Sequence, residues 1–123
     1  MAQAMKRLNK MPAPPRGRRI IITEVSSRPD NEARTFTIRW TTAGIERVLV
    51  FLVRLKVTYD NGGSATTSEI VGQNRRSVEL SVNEIQGFFR VVSFNVTVAA
   101  IVINLNPPKV ERVTAQQDGQ ITK

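Results

Sequence analysis

The run from Val48 to Tyr59, Val-Leu-Val-Phe-Leu-Val-Arg-Leu-Lys-Val-Thr-Tyr, constrains this chain more than any other segment. Its second half alternates: Val53, Leu55, Val57 and Tyr59 share one face, and Arg54, Lys56 and Thr58 the other. That is the period of a pleated strand with one side buried. Asp60-Asn61-Gly62-Gly63 follows at once and supplies residues that accept positive φ, the signature of a hairpin turn. A helix is the competing reading of the first half. The branched residues and the period-two half favour a strand, because branching at Cβ suits a pleat and disfavours helix interiors. Val48, Val50 and Leu52 then form an apolar off-face, either a core covered from a second side or a subunit contact.

The same texture runs through the chain. Ile20–Val25 reads as a first strand, closed by Ser26 to Asn31. Thr35–Thr41 reads as a second, with Phe36, Ile38 and Trp40 inward. The return strand of the hairpin is Thr66–Val71, Ser77–Val82 follows with Val78, Leu80 and Val82 inward, and Asn83 to Gly87 is a corner or one helical turn. Val92–Ile103 places Phe94, Val96, Val98 and Ala100 on one face against Asn95 and Thr97, and a short last strand spans Val110–Thr114. Seven strands separated by turn signals predict an all-β, antiparallel, immunoglobulin-like sandwich. The chain divides into an extended arm over 1–19, a sandwich over 20–115 and a polar tail over 116–123. At 123 residues, 41% of them apolar, one core is sustainable and two are not.

The order of residues resembles a fibronectin type III or related immunoglobulin-like domain. Ile38-Arg39-Trp40 is similar to the family's second strand with its inward tryptophan. Leu55 to Tyr59 is similar to its third strand, and Phe94 to Ala100 to its sixth. Phe94 stands where that family carries the tyrosine of its corner motif, so the hydroxyl-to-backbone tie is expected to be missing. The resemblance implies a topology and no particular activity.

Charge is distributed unevenly. Lys6, Arg7, Lys10, Arg16, Arg18 and Arg19 crowd the first 19 residues, where no acid occurs; the remainder holds 12 basic against 10 acidic residues, so most of the net +8 belongs to the arm. Pro12, Pro14 and Pro15 keep the arm out of helix and sheet ladders, although Met5, Leu8 and Met11 could line one short amphipathic turn before them. Six cations can bind phosphates in a salt-dependent manner, but without an aromatic residue the arm offers nothing for bases to stack on. Basic arms of this kind also tie subunits together in virus shells.

The chain has no cysteine and no histidine. Disulfides, thiolate nucleophiles and the commonest general base and metal ligand are therefore excluded, and no cofactor is expected. Asp60 supplies one carboxylate, too few for calcium. Asn95-Val96-Thr97 fits a glycosylation sequon by chance, in mid-strand. No apolar run approaches the ~20 residues of a membrane helix, and no secretion signal is recognisable. Phe88-Phe89 cannot both point inward from an extended segment, so one is expected in the core and the other exposed. Arg75-Arg76 sits beside a Gln-Asn turn as a further contact candidate.

The expectation is a non-catalytic structural protein that decorates or cements a viral (phage) capsid or similar assembly. Its partners would be other virion or assembly subunits, including further copies of itself, and its place the virion, assembled in the host cytoplasm. The alternative is a nucleic-acid-binding β domain acting through the arm.

Overall fold

A computed structural model describes residues 18–105 and 108–121. Most of the arm, including Lys6, Arg7, Lys10 and Arg16 and the Met5–Met11 segment, lies outside the described residues.

The fold is all-β and antiparallel, with eight strands among the described residues: β1 (Arg19–Asp30), β2 (Ala33–Ala43), β3 (Val48–Tyr59), β4 (Ser64–Gly72), β5 (Ser77–Asn83), β6 (Ile85–Gln86), β7 (Phe89–Leu105) and β8 (Pro108–Gln120). β1, β2 and β5 form a three-stranded sheet with β2 central. The larger sheet runs β4-β3-β7, with β8 on the far side of β7 and the short β6 paired to the start of β7. One apolar core joins the two sheets: Phe36, Ile38, Trp40, Val78 and Leu80 from the smaller meet Phe51, Val53, Leu55, Val57, Val96 and Val98 from the larger. Each such side chain, once buried, contributes about 1.5–3 kcal/mol. The sheets also approach along both flanks, β1 beside β8 and β4 beside β5.

The expected strands are present, though β1 does not close after Val25: Ser26 to Asp30 continue it, paired with Thr37 to Ala33 of β2. Three further points differ. The corner after β5 is not a helical turn. Ile85 and Gln86 form β6 and fold back onto Phe89 and Arg90 through Gly87-Phe88, which raises the strand count from seven to eight. Gly87 has φ 65° while Phe88 stays out of that region, the pattern of a two-residue hairpin with glycine first. The last strand is far longer than Val110–Thr114. β8 pairs with β7 from Leu105↔Pro108 to Ser93↔Gln120, so residues 116–120, expected to be tail, belong to the sheet. Their polar composition reflects an edge strand half turned to water. The first strand, finally, begins at Arg19, which pairs with Ala43 and is therefore part of the sheet rather than of the arm.

Gly119 is fixed by its neighbour. It lies opposite Phe94, and a Cβ built on it would fall 2.2 Å from the phenyl Cζ. The ring lies over the bare backbone there and meets Phe36 of the other sheet edge-on at 5.3 Å. At the other end Trp40 packs on Phe51 at 5.4 Å, and the Arg76 guanidinium lies 4.9 Å from the Phe51 ring centre. The buried Trp40 indole N–H has no hydrogen-bond partner among the described residues, which costs about 1–3 kcal/mol.

Candidate interaction surfaces

The outer face of the larger sheet can be read row by row from its register. Gly72, Val50, Ile101 and Arg112 lie side by side across β4, β3, β7 and β8. The next row is Ile70, Leu52, Ala99 and Thr114, and the next Ser68, Arg54, Thr97 and Gln116. Half of the face is thus apolar and the other half polar. Ile70 is 66% exposed, Val50, Leu52 and Ile101 are half-buried, and Ala99 forms the floor. The small Ala99 side chain leaves a hollow of about 330 Å³ between Leu52, Ile70, Arg54 and Arg112. Neither arginine has an ion-pair partner among the described residues, so two guanidinium groups flank an apolar floor.

Two of the three off-face candidates, Val50 and Leu52, belong to this surface. Val48 does not: it is 8% exposed and packs in the core opposite Val102. The register shifts between Val48 and Val50, an extra residue that turns Val48 inward and leaves Leu49 exposed. Strict alternation could not show that bulge. Ile70 and Ile101 escaped attention because each sits next to an inward residue, Val71 and Val102, in runs apolar on both faces; that two-sidedness was the available signal.

The second surface is the β6–β7 hairpin. Phe88 is 95% exposed at its tip and Phe89 39% exposed beside it, with Ile85 and Val92 also partly open. The expectation that one phenylalanine enters the core is incorrect, because the hairpin projects past the end of the sandwich. Its root is held firmly. Glu84, nearly buried, pairs with Arg34 Nε, and Arg34 Nη1 also donates to Ser27 Oγ at 2.8 Å. The Glu84 amide donates to the Glu32 carbonyl at 2.9 Å, and the Val91 amide to the Glu84 carbonyl at 3.2 Å. The Tyr59 hydroxyl donates to the Asn83 carbonyl at 2.8 Å, joining the end of β3 in one sheet to the end of β5 in the other. The tie that Phe94 cannot make is thus made by a different tyrosine. Burial, and secondarily the Glu84 carboxylate, raises the Tyr59 pKa above its usual value, so the phenol stays protonated as a donor.

The remaining candidates have local work. Arg76 Nη1 donates to the carbonyls of Gln73 and Arg75, and Arg75 Nη2 to that of Ser77 at 3.0 Å, so both guanidinium groups brace the β4–β5 turn. Arg18 pairs with Glu111 at 2.9 Å, fastening the start of β1 to β8. Asn95 donates to Asp118 on the outer face. No group of three or more His, Cys, Asp or Glu side chains among the described residues is placed to hold a metal ion. No helix among the described residues is long and apolar enough to cross a membrane.

No protein family matches the chain, and no curated protein or solved structure matches it either.

Proposed function

We propose that this chain is a non-catalytic structural subunit, a fibronectin type III-like sandwich that decorates or cements a larger assembly. A phage or virus particle is the assembly to test first, since basic arms tie subunits together in such shells. The supporting observation is Phe88: a phenylalanine left 95% exposed on a hairpin whose root is tied by Tyr59 and by the Arg34–Glu84 pair. Leaving a large aromatic ring in water forgoes about 1.5–3 kcal/mol, and a rigid mounting presents it ready-formed to a partner. The apolar half of the larger sheet offers a second contact area. The strand order supports the fold assignment: apart from the two-residue β6, three strands face four, with Trp40 inward on the second and Tyr59 on the third.

Full-length chain and a chain beginning at residue 18 should both fold, while only the first enters the particle. Equal incorporation of the two, measured by co-sedimentation, removes the arm from this role. Absence of the full-length chain from particles removes the reading itself.

The nucleic-acid reading draws on one observation. Arg18 and Arg19, which receive the arm, stand at the same end of the sandwich as Arg47, Lys109 and Arg112. Binding to an oligonucleotide that falls steeply with added salt would favour it. No retention at low salt would end it.

A further inference from the structure

The charges of the sandwich are sorted between its two ends. Arg19↔Ala43, Val50↔Gly72 and Leu105↔Pro108 set one end; Ala33↔Asn83, Thr58↔Ser64 and Gln86↔Phe89 set the other. The Arg18–Glu111 pair and the Tyr59–Asn83 bond hold the corresponding ends of both sheets together. Among the described residues the first end carries Arg18, Arg19, Arg47, Lys109 and Arg112 beside the Arg75-Arg76 turn, against Glu46 and Glu111. The second carries Asp30, Glu32, Asp60 and Asp118 against Arg90 and Lys56, the latter in the same row as Asp118; Glu84 and Arg34 there neutralise each other. Strands of about twelve residues separate the ends by roughly 40 Å, several times the ~8–10 Å screening length of physiological salt. Each end therefore presents its own sign.

The apolar features follow the same division. Phe88 projects from the acidic end. The basic end has a hollow of about 230 Å³ beside Gly44, Arg47, Ile103 and Leu105, with Leu105 itself half exposed. Much of its lining is polar, from Arg18, Glu46, Asn104 and Glu111; Val102, Ile103 and Leu105 supply the apolar part against which an aromatic ring can lie, with the Arg47 guanidinium over its face. Arg47 is held at φ 59°, a backbone conformation that side-chain-bearing residues seldom adopt, by a loop whose Arg47 carbonyl accepts from the Ile103 amide at 3.1 Å.

We propose that copies of this chain associate end to end, the Phe88 hairpin and acidic turns of one copy docking on the basic end of the next. This rests on reading the chain as an assembly subunit and names a second copy as its partner. The contact is heterologous: two different surfaces meet, like ends repel, and growth continues into a filament or closes into a ring. Four strands across and two sheets deep give an end face of roughly 500 Å², so a pair buries about 1,000 Å², the lower limit for a specific interface. A single contact is therefore weak, and association appears at high concentration.

Sedimentation of the nuclease-treated full chain tests this. At low ionic strength the average mass rises steadily with concentration, and high salt returns it to the monomer. Phe88→Ser removes the knob, and Arg47→Gly removes the guanidinium at a position whose positive φ suits glycine. Each weakens association by at least about tenfold without lowering the melting midpoint. An equimolar mixture of the two variants yields a discrete dimer and nothing larger, since together they retain one intact contact.

A chain that stays monomeric at near-millimolar concentration and low salt overturns the proposal, even if it enters particles. So does association indifferent to Phe88→Ser, or a mixture that forms no dimer. A chain that associates in this way but never enters particles keeps the end-to-end contact and removes only the particle reading.

Discussion

The two sheets turn very different outer faces to solvent. On the smaller one, Glu24 pairs with Arg39 at 2.9 Å, Arg28 reaches Glu79 at 3.9 Å, Thr37 also donates to Glu79, and Thr35 and Ser81 share a hydrogen bond at 3.0 Å. Nearly every polar group there meets another of the same sheet. On the larger one, Val50, Leu52, Ile70, Ala99 and Ile101 gather without cover, and Arg54 and Arg112 stand unpaired among the described residues. A face whose donors and acceptors satisfy one another gains little from a partner. A face that leaves apolar area and guanidinium groups in water gains from being covered. The smaller sheet is finished as a surface, and the larger is not.

The largest effect is expected at the root of the hairpin, where Glu84 forms a nearly buried ion pair with Arg34 of the smaller sheet. Glu84→Ala strands Arg34 and should cost about 3 kcal/mol, read as a lower urea midpoint with unchanged slope. A change under a few tenths would mean that Arg34 finds water or Ser27 instead. Next comes the inner side of the larger sheet. Gly119→Ala drives a methyl into Phe94, which Phe36 holds in place, at about 1–3 kcal/mol; Phe94→Leu in the same chain should recover much of the loss.

Tyr59→Phe removes one hydrogen bond between the sheets, about 1 kcal/mol. Because burial raises the Tyr59 pKa, the folded protein holds that proton more tightly than the unfolded chain does. Its stabilising effect is fully present below about pH 10, the unfolded value, and is lost as pH rises through the higher folded value. Tyr59 is the only tyrosine, so its ultraviolet titration should coincide with the onset of alkaline unfolding and show no separate step near pH 10. The smallest effects lie on the outer faces. Glu24→Ala should cost under about 1 kcal/mol and less in high salt. Ile70→Thr should leave stability within about 0.5 kcal/mol but lower the binding of an apolar dye.

Much of the fold follows from local pattern. The bounds of β3 and the inward faces of β2, β5 and β7 come from period two alone, and the β3–β4 hairpin from Asp60 to Gly63, where the Gly63 amide donates to Asn61 Oδ1 at 2.9 Å. Alternation is imposed residue by residue, so it can be read residue by residue. It fails where one extra residue shifts the phase, as at Leu49, or where an edge strand has no partner on one side, as in β8 with its polar second half.

The candidate surfaces were less legible. Val50, Leu52 and the Phe88-Phe89 pair stood out because apolar residues exceeded what one buried face could use. That Ile70, Ala99 and Ile101 would join Val50 and Leu52 depends on pairing strands far apart in the chain, and that Phe89 leaves the core depends on where the hairpin ends. Arg34 and Glu84 lie 50 positions apart, and nothing near either one announces the other. Which residues of β2, β5 and β7 turn inward, and where β3 turns into β4, follow from neighbours within a few positions and are legible in the chain alone. The tertiary structure alone decided which outward residues share a surface and that acidic and basic turns collect at opposite ends, because both follow from strand order, which is set by burying the whole core at once.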